Sequence, residues 1–496
     1  MHTVFVCLGG TGTQLGSAIG NLYPLLHLSG IIKEPFSMFI LDKDTNSGIY
    51  KACTGANQRY TDYRYLLPFE NLPPYELSPT VYQDMQEGTG LLRNKNYTVM
   101  DLIGDDTRMK ELASMCWIEE KRNESLRDGN NRDPSRGGLD ALVCLEHLTE
   151  SSLFQGKNGK KGLQNIIDKY GENDVRVVIL GGTTGGMGSS LIVPLAKQLR
   201  DKKLRIDMVL LGTYFEIPQR NALQPGAVDV DNIGTSLDSF YRAADQIEEL
   251  LVDTVKNDWR VYYAAMPGFD NTAGKFDKNG AVKRKCHLLE LTAALAAFVL
   301  GEENSSPGFY ATSLSYGRDK QFVDWTDIPL GNILKKPAEN FMKLVSVLAS
   351  RVYPSLCAEP KDIRGNNYLK PYFKKNPADE METVRNMRDE LKIWLQNITQ
   401  CFEFWHEIQL NTRLGEKDNK NIVTFFPEKD MNLLAGILDF SLRARENERL
   451  FGGEPWAVFI GNIKPDKKRL VDANDSRDKL KWMVEDIWSI INSKEG

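Results

Sequence analysis

Five short apolar runs stand out along the chain: "TVFVCL" (3–8), "FSMFILD" (36–42), "VRVVILGG" (175–182), "LRIDMVLLGTYF" (204–215) and "WRVYYAAMP" (259–267). Continuous apolar runs of this length, bounded by turn residues, read as strands buried on both faces. Between them, apolar residues recur at helical spacing. Leu15, Ile19, Leu22 and Leu26 follow one another at intervals of four, three and four, which marks one face of a helix after the first run. Leu191, Ile192, Leu195, Ala196 and Leu199 do the same after the third. A long amphipathic helix is predicted from about Leu237 to Val255. Strand, glycine turn, helix and strand open the chain, so it begins with a βαβ unit and a parallel sheet. The continued alternation predicts a doubly wound α/β domain.

Further on the pattern changes. "CHLLELTAALAAFVLG" (286–301) is apolar almost all round, as expected of a buried helix. After residue 302, helical stretches such as "AENFMKLVSVLASRVY" and "METVRNMRDELKIWLQNITQCFEFW" alternate with polar loops. "PWAVFIGNI" (455–463) reads as a late strand, and "RDKLKWMVEDIWSIINS" as a C-terminal amphipathic helix. The expected organisation is a nucleotide-binding domain over 1–284, a central helix over 285–301, and a second α/β or α+β domain over 302–496. Within the first, 58–128 reads as a loop-rich insertion: "FENLPPYELSP" is expected to be loop, and "KRNESLRDGNNRDPSRGG" (121–138) an exposed polar stretch. A helix carrying Leu139, Leu142, Val143 and Leu145 should follow.

Composition narrows the classes of function. The 496 residues are 41% apolar and 26% charged, as in a soluble globular chain, with a net charge of −5. That balance argues against a nucleic-acid binder working through bulk positive charge. The longest apolar stretch, "LTAALAAFVL", is about half of what a bilayer span needs. The N-terminus lacks the pattern of a secretory signal, so the cytoplasm is the expected location. The seven cysteines form no C-x-x-C pair, which disfavours a disulfide framework or structural zinc.

The candidate chemistry lies in two glycine turns, "GGTGTQLG" (9–16) and "GGTTGGMG" (181–188), each following a strand. Backbone N–H groups in such a turn, with a helix N-terminus behind them, form a cradle for phosphate. Neither turn carries the lysine of a P-loop. The first gives G-x-G with Gly10 and Gly12, but Leu15 stands where the dinucleotide fingerprint has its third glycine. An acid at the end of the second strand, Asp42 or Asp44, keeps the dinucleotide reading open, yet that reading leaves the second turn unexplained.

Taken together, the turns resemble the tubulin/FtsZ superfamily. "GGTGTQLG" is similar to the first nucleotide loop of tubulin, G-Q-C-G-N-Q-I-G. "LGGTTGGMGS" (180–189) is similar to the signature G-G-G-T-G-S-G-M-G-T, keeping Gly181, Gly182, Thr183 and Gly186-Met187-Gly188. The motifs cover roughly residues 1–300, and the second domain follows by analogy. The resemblance implies a GTP-binding protein that assembles head-to-tail into filaments and hydrolyses GTP to GDP at the subunit interface. Gly9, Gly10, Thr11, Gly12 and Gln14 would form the first wall of the pocket. Asp42 and Asp44 would face the γ-phosphate and its Mg²⁺. Gly129, Asn130 and Asn131 would stand in the third loop, with Arg132 as a charge partner. Gly181, Gly182, Thr183, Thr184, Gly185, Gly186, Met187 and Gly188 would wrap the phosphates.

Three departures from the family pattern stand out, and the third bears on catalysis. Thr184 replaces a signature glycine, and Gly185 stands where serine is usual. The loop after the central helix, "GEENSSPG" (301–308), lacks the N-x-D-x-x-D of FtsZ, so Glu302 and Glu303 are the acids left to serve the neighbour's nucleotide. A scaffold that holds nucleotide without hydrolysis and presents its second domain to a partner protein is the alternative. The expected partner is a second copy of the chain, with no nucleic acid or membrane. Glu290, inside the apolar helix, is left facing nucleotide, a partner helix or a buried arginine.

Overall fold

The structure is a computed structural model. It describes residues 1–42, 49–55, 71–72, 74–78, 97–126, 136–139, 145, 153–156, 161–183, 187–212, 248–254, 256–265, 286–300, 306–313, 322–364, 369–411, 423–427, 430 and 475–493. Seven parallel strands form one sheet: β1 (His2–Leu8), β2 (Ser37–Leu41), β3 (Glu76–Ser78), β4 (Val175–Gly182), β5 (Arg205–Leu211), β6 (Arg260–Ala265) and β7 (Gly308–Ser313). Their order is β3-β2-β1-β4-β5-β6-β7, so the direction of winding reverses between β1 and β4. The five apolar runs become β1, β2, β4, β5 and β6. β1 and β4 pair in parallel from His2 with Val175 to Cys7 with Leu180.

Alternate strand residues feed two separate cores. Phe5, Cys7, Val178, Leu180, Val209 and Leu211 face α1 (Gly9–Leu28) and α7 (Leu288–Val299). Val4, Val6, Leu8, Val177, Ile179, Met208 and Leu210 face α5 (Leu163–Tyr170) and α6 (Met187–Arg200). The strands are buried on both faces, which is why they read as unbroken apolar runs and not as alternating ones. The helices α2 (Val99–Ile103), α3 (Thr107–Cys116) and α4 (Glu119–Asn123) close on a small core of their own, around Tyr97, Val99 and Leu126.

Helix α7 forms a middle layer. Every residue from Leu288 to Ala297 is buried, between the sheet on one side and outer helices on the other. Those outer helices are α8 (Gly331–Val347), α9 (Met381–Asn411) and α10 (Ser476–Ser493). Their apolar residues, Phe341, Trp394 and Ile487 among them, belong to the same continuous core as α1 and α7. A helix with apolar neighbours all round has no polar face, as its sequence shows.

The step from β6 to β7 continues in the same direction as β4 to β5. Helix α7, which joins β6 and β7, nevertheless lies on the face opposite α6. This crossover is therefore left-handed, against the near-universal right-handed rule. The end of α7 is held by arginines from the strands. Arg176 on β4 pairs with the buried Asp207 on β5 and donates to the Ala297 carbonyl at 2.8 Å. Arg205 donates to the Leu300 carbonyl at 3.2 Å. Cations on the last carbonyls of a helix satisfy its orphan acceptors and oppose its dipole.

Three segments differ from expectation. "YELS" contains β3, inside the stretch read as loop. Three residues are too short to show any period, and this strand is held by pairing with β2 and by Tyr75 stacking on Phe36 at 4.5 Å. Residues 308–313, expected beyond the nucleotide domain, add β7 to its sheet. Three short helices occupy 99–123, where loops were expected. The strand read at 455–463 and most of the helix read at 237–255 lie outside the described residues, and 248–254 is helical. Among the described residues no helix is long and apolar enough to cross a membrane.

Candidate functional site

The two glycine turns sit side by side at the carboxyl ends of β1 and β4, where the winding reverses. Open α/β sheets bind ligands at that point. The first turn is more compact than its sequence suggests. Leu8 is still extended, Gly9 takes φ +61°, and α1 begins at Gly9 itself. Only a residue without a Cβ makes that pivot without strain.

The glycines do two different jobs. A Cβ on Gly12 would run into the Leu180 carbonyl oxygen of β4, and would lie 2.9 Å from the Cys7 carbonyl carbon. One on Gly188 would lie 2.9 Å from the Leu8 carbonyl oxygen, and one on Gly182 would lie 2.9 Å from the Thr11 hydroxyl. On Gly16 it would meet the Cys7 sulfur at 2.7 Å, and on Gly181 the Ile192 side chain at 3.3 Å. These residues let the turns, strands and helices close on one another. Gly10 has nothing within 4 Å of its Cβ position and is exposed, so its backbone is open to an incoming group.

Polar side chains gather around this opening. Thr13 donates to the Gly9 carbonyl at 2.9 Å and to the Asp42 carboxylate at 3.3 Å, tying the end of β2 to the start of α1. Asp42 is half-buried there. Gln14 is nine-tenths buried, and its amide makes no hydrogen bond among the described residues. Thr183 continues the β4–β5 ladder, its N–H donating to the Leu211 carbonyl at 2.9 Å. The Tyr263 hydroxyl bonds the Thr183 side chain, and burial raises its pKa above the usual range. Neither α1 nor α6 has an acid in its first turn, so the positive ends of both dipoles face the opening uncompensated by their own side chains.

Beneath the opening, Cys7 is fully buried, and desolvation first, then Cys53 and Asp42, push its thiol pKa well up. It packs as a small apolar group. The residues 136–139 run alongside: a Cβ on Gly138 would lie 3.7 Å from the Ser190 side chain in the first turn of α6.

The structure thus brings Gly9, Gly10, Thr11, Gly12, Gln14, Asp42, Gly181, Gly182, Thr183 and Gly188 into one place. Met187 starts α6 beside them. Asp44, Gly129, Asn130, Asn131, Arg132, Thr184, Gly185, Gly186, Glu302 and Glu303 lie outside the described residues. Glu290 finds a fourth role, foreseen by none of the three readings. It caps its own helix: its carboxylate accepts from the His287 N–H at 2.8 Å, while His287 Nδ1 accepts from the Leu289 N–H at 3.1 Å. Sequence reasoning passed over Thr13 and Tyr263. The signal for Thr13 was its place one residue before Gln14 in the turn; Tyr263 carried none, because only sheet order sets β6 near Thr183.

Mg²⁺ favours oxygen ligands and keeps several waters, binding through one or two carboxylates and substrate phosphates. Asp42 at the mouth of the opening suits that mode and would be the protein ligand. No protein-family model matches the chain, and neither a curated protein nor a solved structure does.

Proposed function

We propose that the chain binds the phosphates of a guanine nucleotide between its two glycine turns, with Mg²⁺ at Asp42. The reading continues with tubulin/FtsZ-like head-to-tail assembly, GTP being hydrolysed at the interface between copies. The observation that carries it is the open, exposed backbone of Gly10 at the start of α1, beside Gln14, whose amide makes no hydrogen bond among the described residues. The paired turns favour a phosphate chain spanning both helix N-termini. Guanine and self-assembly rest on the motif resemblance.

In this reading the protein's own contribution is positioning. Backbone N–H groups of Gly10 and Thr11 hold one side of the phosphates, and the α6 N-terminus the other. Thr13 keeps Asp42 turned toward the opening. Mg²⁺, when bound, neutralises charge developing on the phosphates. Glu302 and Glu303 would act on a neighbour's nucleotide, because heterologous contacts place one copy's loop against the next copy's pocket.

The test is the identity of the nucleotide released from denatured, freshly purified protein, with GTP titration of the Gln14→Ala variant. Guanine nucleotide is expected, with roughly tenfold weaker binding in the variant, about 1.4 kcal/mol. Release of NAD(P) would refute this reading and favour a dinucleotide site, for which Asp42 at the end of β2 stands in the ribose-binding position. GTP that stays intact at filament-forming concentrations would favour the scaffold reading, which the missing acidic pattern of "GEENSSPG" supports.

A further inference from the structure

Separate from both sheet cores, the helices α2, α3 and α4 form a small unit closed around Tyr97, Val99 and Leu126. Leu102, Ile103 and Trp117 pack against that core. Helix α3 takes almost no part in it: of its ten residues only Ala113 is buried.

The apolar residues of α3 nevertheless share one face. Met109, Leu112 and Cys116 follow at intervals of three and four, and Met115 stands three on from Leu112. This face looks into solvent. Met109, Leu112 and Met115 are 39, 51 and 84% exposed, and Ile118, just past the end of the helix, is 66% exposed. Cys116 is exposed as well. A surface helix ordinarily turns its apolar stripe inward. Four of the eleven large apolar side chains exposed among the described residues fall within positions 109–118, so exposure is concentrated here and not scattered. Concentrated apolar exposure marks an interaction site. Two of the four are methionines, whose unbranched, polarisable side chains adapt to irregular apolar surfaces.

The charge around the stripe is acidic. Residues 97–126 carry seven acids and four bases. Two of those bases are engaged, Lys110 with Asp105 at 3.3 Å and Lys121 with Glu124 at 3.4 Å. Glu111 precedes Leu112, and Glu119 and Glu120 follow Ile118; all three are exposed and enter no ion pair among the described residues. Arg108, exposed on the same helix, offsets one of them.

That charge selects the occupant. A second copy would bring the same acidic surface, on a chain whose net charge is −5. Nucleic acid and anionic lipid are repelled for the same reason. We propose that the outward face of α3 is a docking surface for a basic amphipathic helix of a partner protein. Its apolar side chains would cover the stripe, and its lysines or arginines would meet Glu111, Glu119 and Glu120. Helix α3 spans about 15 Å, enough for about three turns of an incoming helix. The proposal does not depend on the nucleotide reading.

Anisotropy titration of the full chain against a fluorescently labelled model peptide tests it. The peptide is a helix of about four turns, with leucine at helical spacing on one face and lysine on the other. One saturable site per chain is expected, weakening with salt, and a control peptide with glutamate in place of lysine should not bind. Leu112→Gln with Met115→Gln should weaken binding about tenfold or more with the melting temperature kept, because both side chains already face water. Glu111→Gln with Glu119→Gln and Glu120→Gln should weaken it severalfold and flatten the salt dependence. Hydrogen peroxide should oxidise Met115 readily in the free chain and slowly with the peptide bound. Absence of saturable binding, equal binding of the glutamate peptide, or binding unchanged by the Leu112 and Met115 pair would overturn the proposal. So would a Met115 that resists peroxide in the free chain, which would mean that the chain covers this face itself. Self-association abolished by the same pair would assign the face to a second copy and overturn it too.

Discussion

Gly12 and Gly10 are two residues apart in one turn, and the structure gives them opposite sensitivities. In Gly12→Ala the new Cβ would overlap the Leu180 carbonyl oxygen and sit 2.9 and 3.2 Å from the Cys7 carbonyl carbon and Cα. Ordinary carbon contacts lie at about 3.5–4.0 Å. All three obstacles are backbone atoms of central strands, so no rotamer change relieves them and α1 must move off β1 and β4. Overpacking of this kind typically costs about 1–3 kcal/mol, and a backbone obstacle sets the upper end. Alanine in place of glycine within a helix returns about 1 kcal/mol. The net expectation is a loss of about 2 kcal/mol. Gly10→Ala meets nothing within 4 Å, so stability should hold or rise by up to about 1 kcal/mol. Its Cβ would, however, stand in the opening and keep phosphate from the backbone. Urea unfolding followed by circular dichroism reads the first pair of numbers, and nucleotide titration the last. A Gly12→Ala midpoint at or above that of the parent would refute the packing argument. Unweakened nucleotide binding by Gly10→Ala would refute the assignment of the opening.

Asp207→Asn should destabilise by about 3–5 kcal/mol in urea titration, because it takes the carboxylate from the buried Arg176. Glu290→Ala removes one half of the cap on α7 and should lower stability by about 1 kcal/mol, with Glu290→Gln recovering part of it; equal losses would argue against capping. His2 is hydrogen-bonded to Ser37 at 2.9 Å and stacked on Tyr170, and burial lowers its pKa from 6.5 to about 4. The neutral ring is the folded form, so its contribution is full above pH 6.5 and is lost as pH falls from there toward 4. The loss should be roughly 1 kcal/mol, allowing for solvent screening, and should vanish from the pH profile of His2→Phe.

Much of the α/β scaffold was legible because burial on both faces leaves a plain mark. β1, β2, β4, β5 and β6 are continuous apolar runs, and α7 is apolar all round because it is packed on every side. The two turns announced themselves through glycines that no strand or helix interior favours. β3 and β7 left no such mark. β3 is three residues long, and β7 exposes Tyr310 at the border with β6 as its described neighbour. Their place follows from which backbone they meet.

Function divides in the same way. The chain's own order of residues determined that glycine turns follow β1 and β4, and that Asp42 ends β2. Tertiary structure decided that these ends are adjacent, that Gly12 serves packing while Gly10 stays open, and that Glu290 caps its helix. It also decided that Arg176, Arg205 and Arg260 crowd the Asp207 carboxylate. Periodicity and turn chemistry are local, carried by neighbours along the chain. Sheet order, the hand of the α7 crossover and the balance of buried charge depend on residues far apart in sequence, and exist only once the strands are laid side by side.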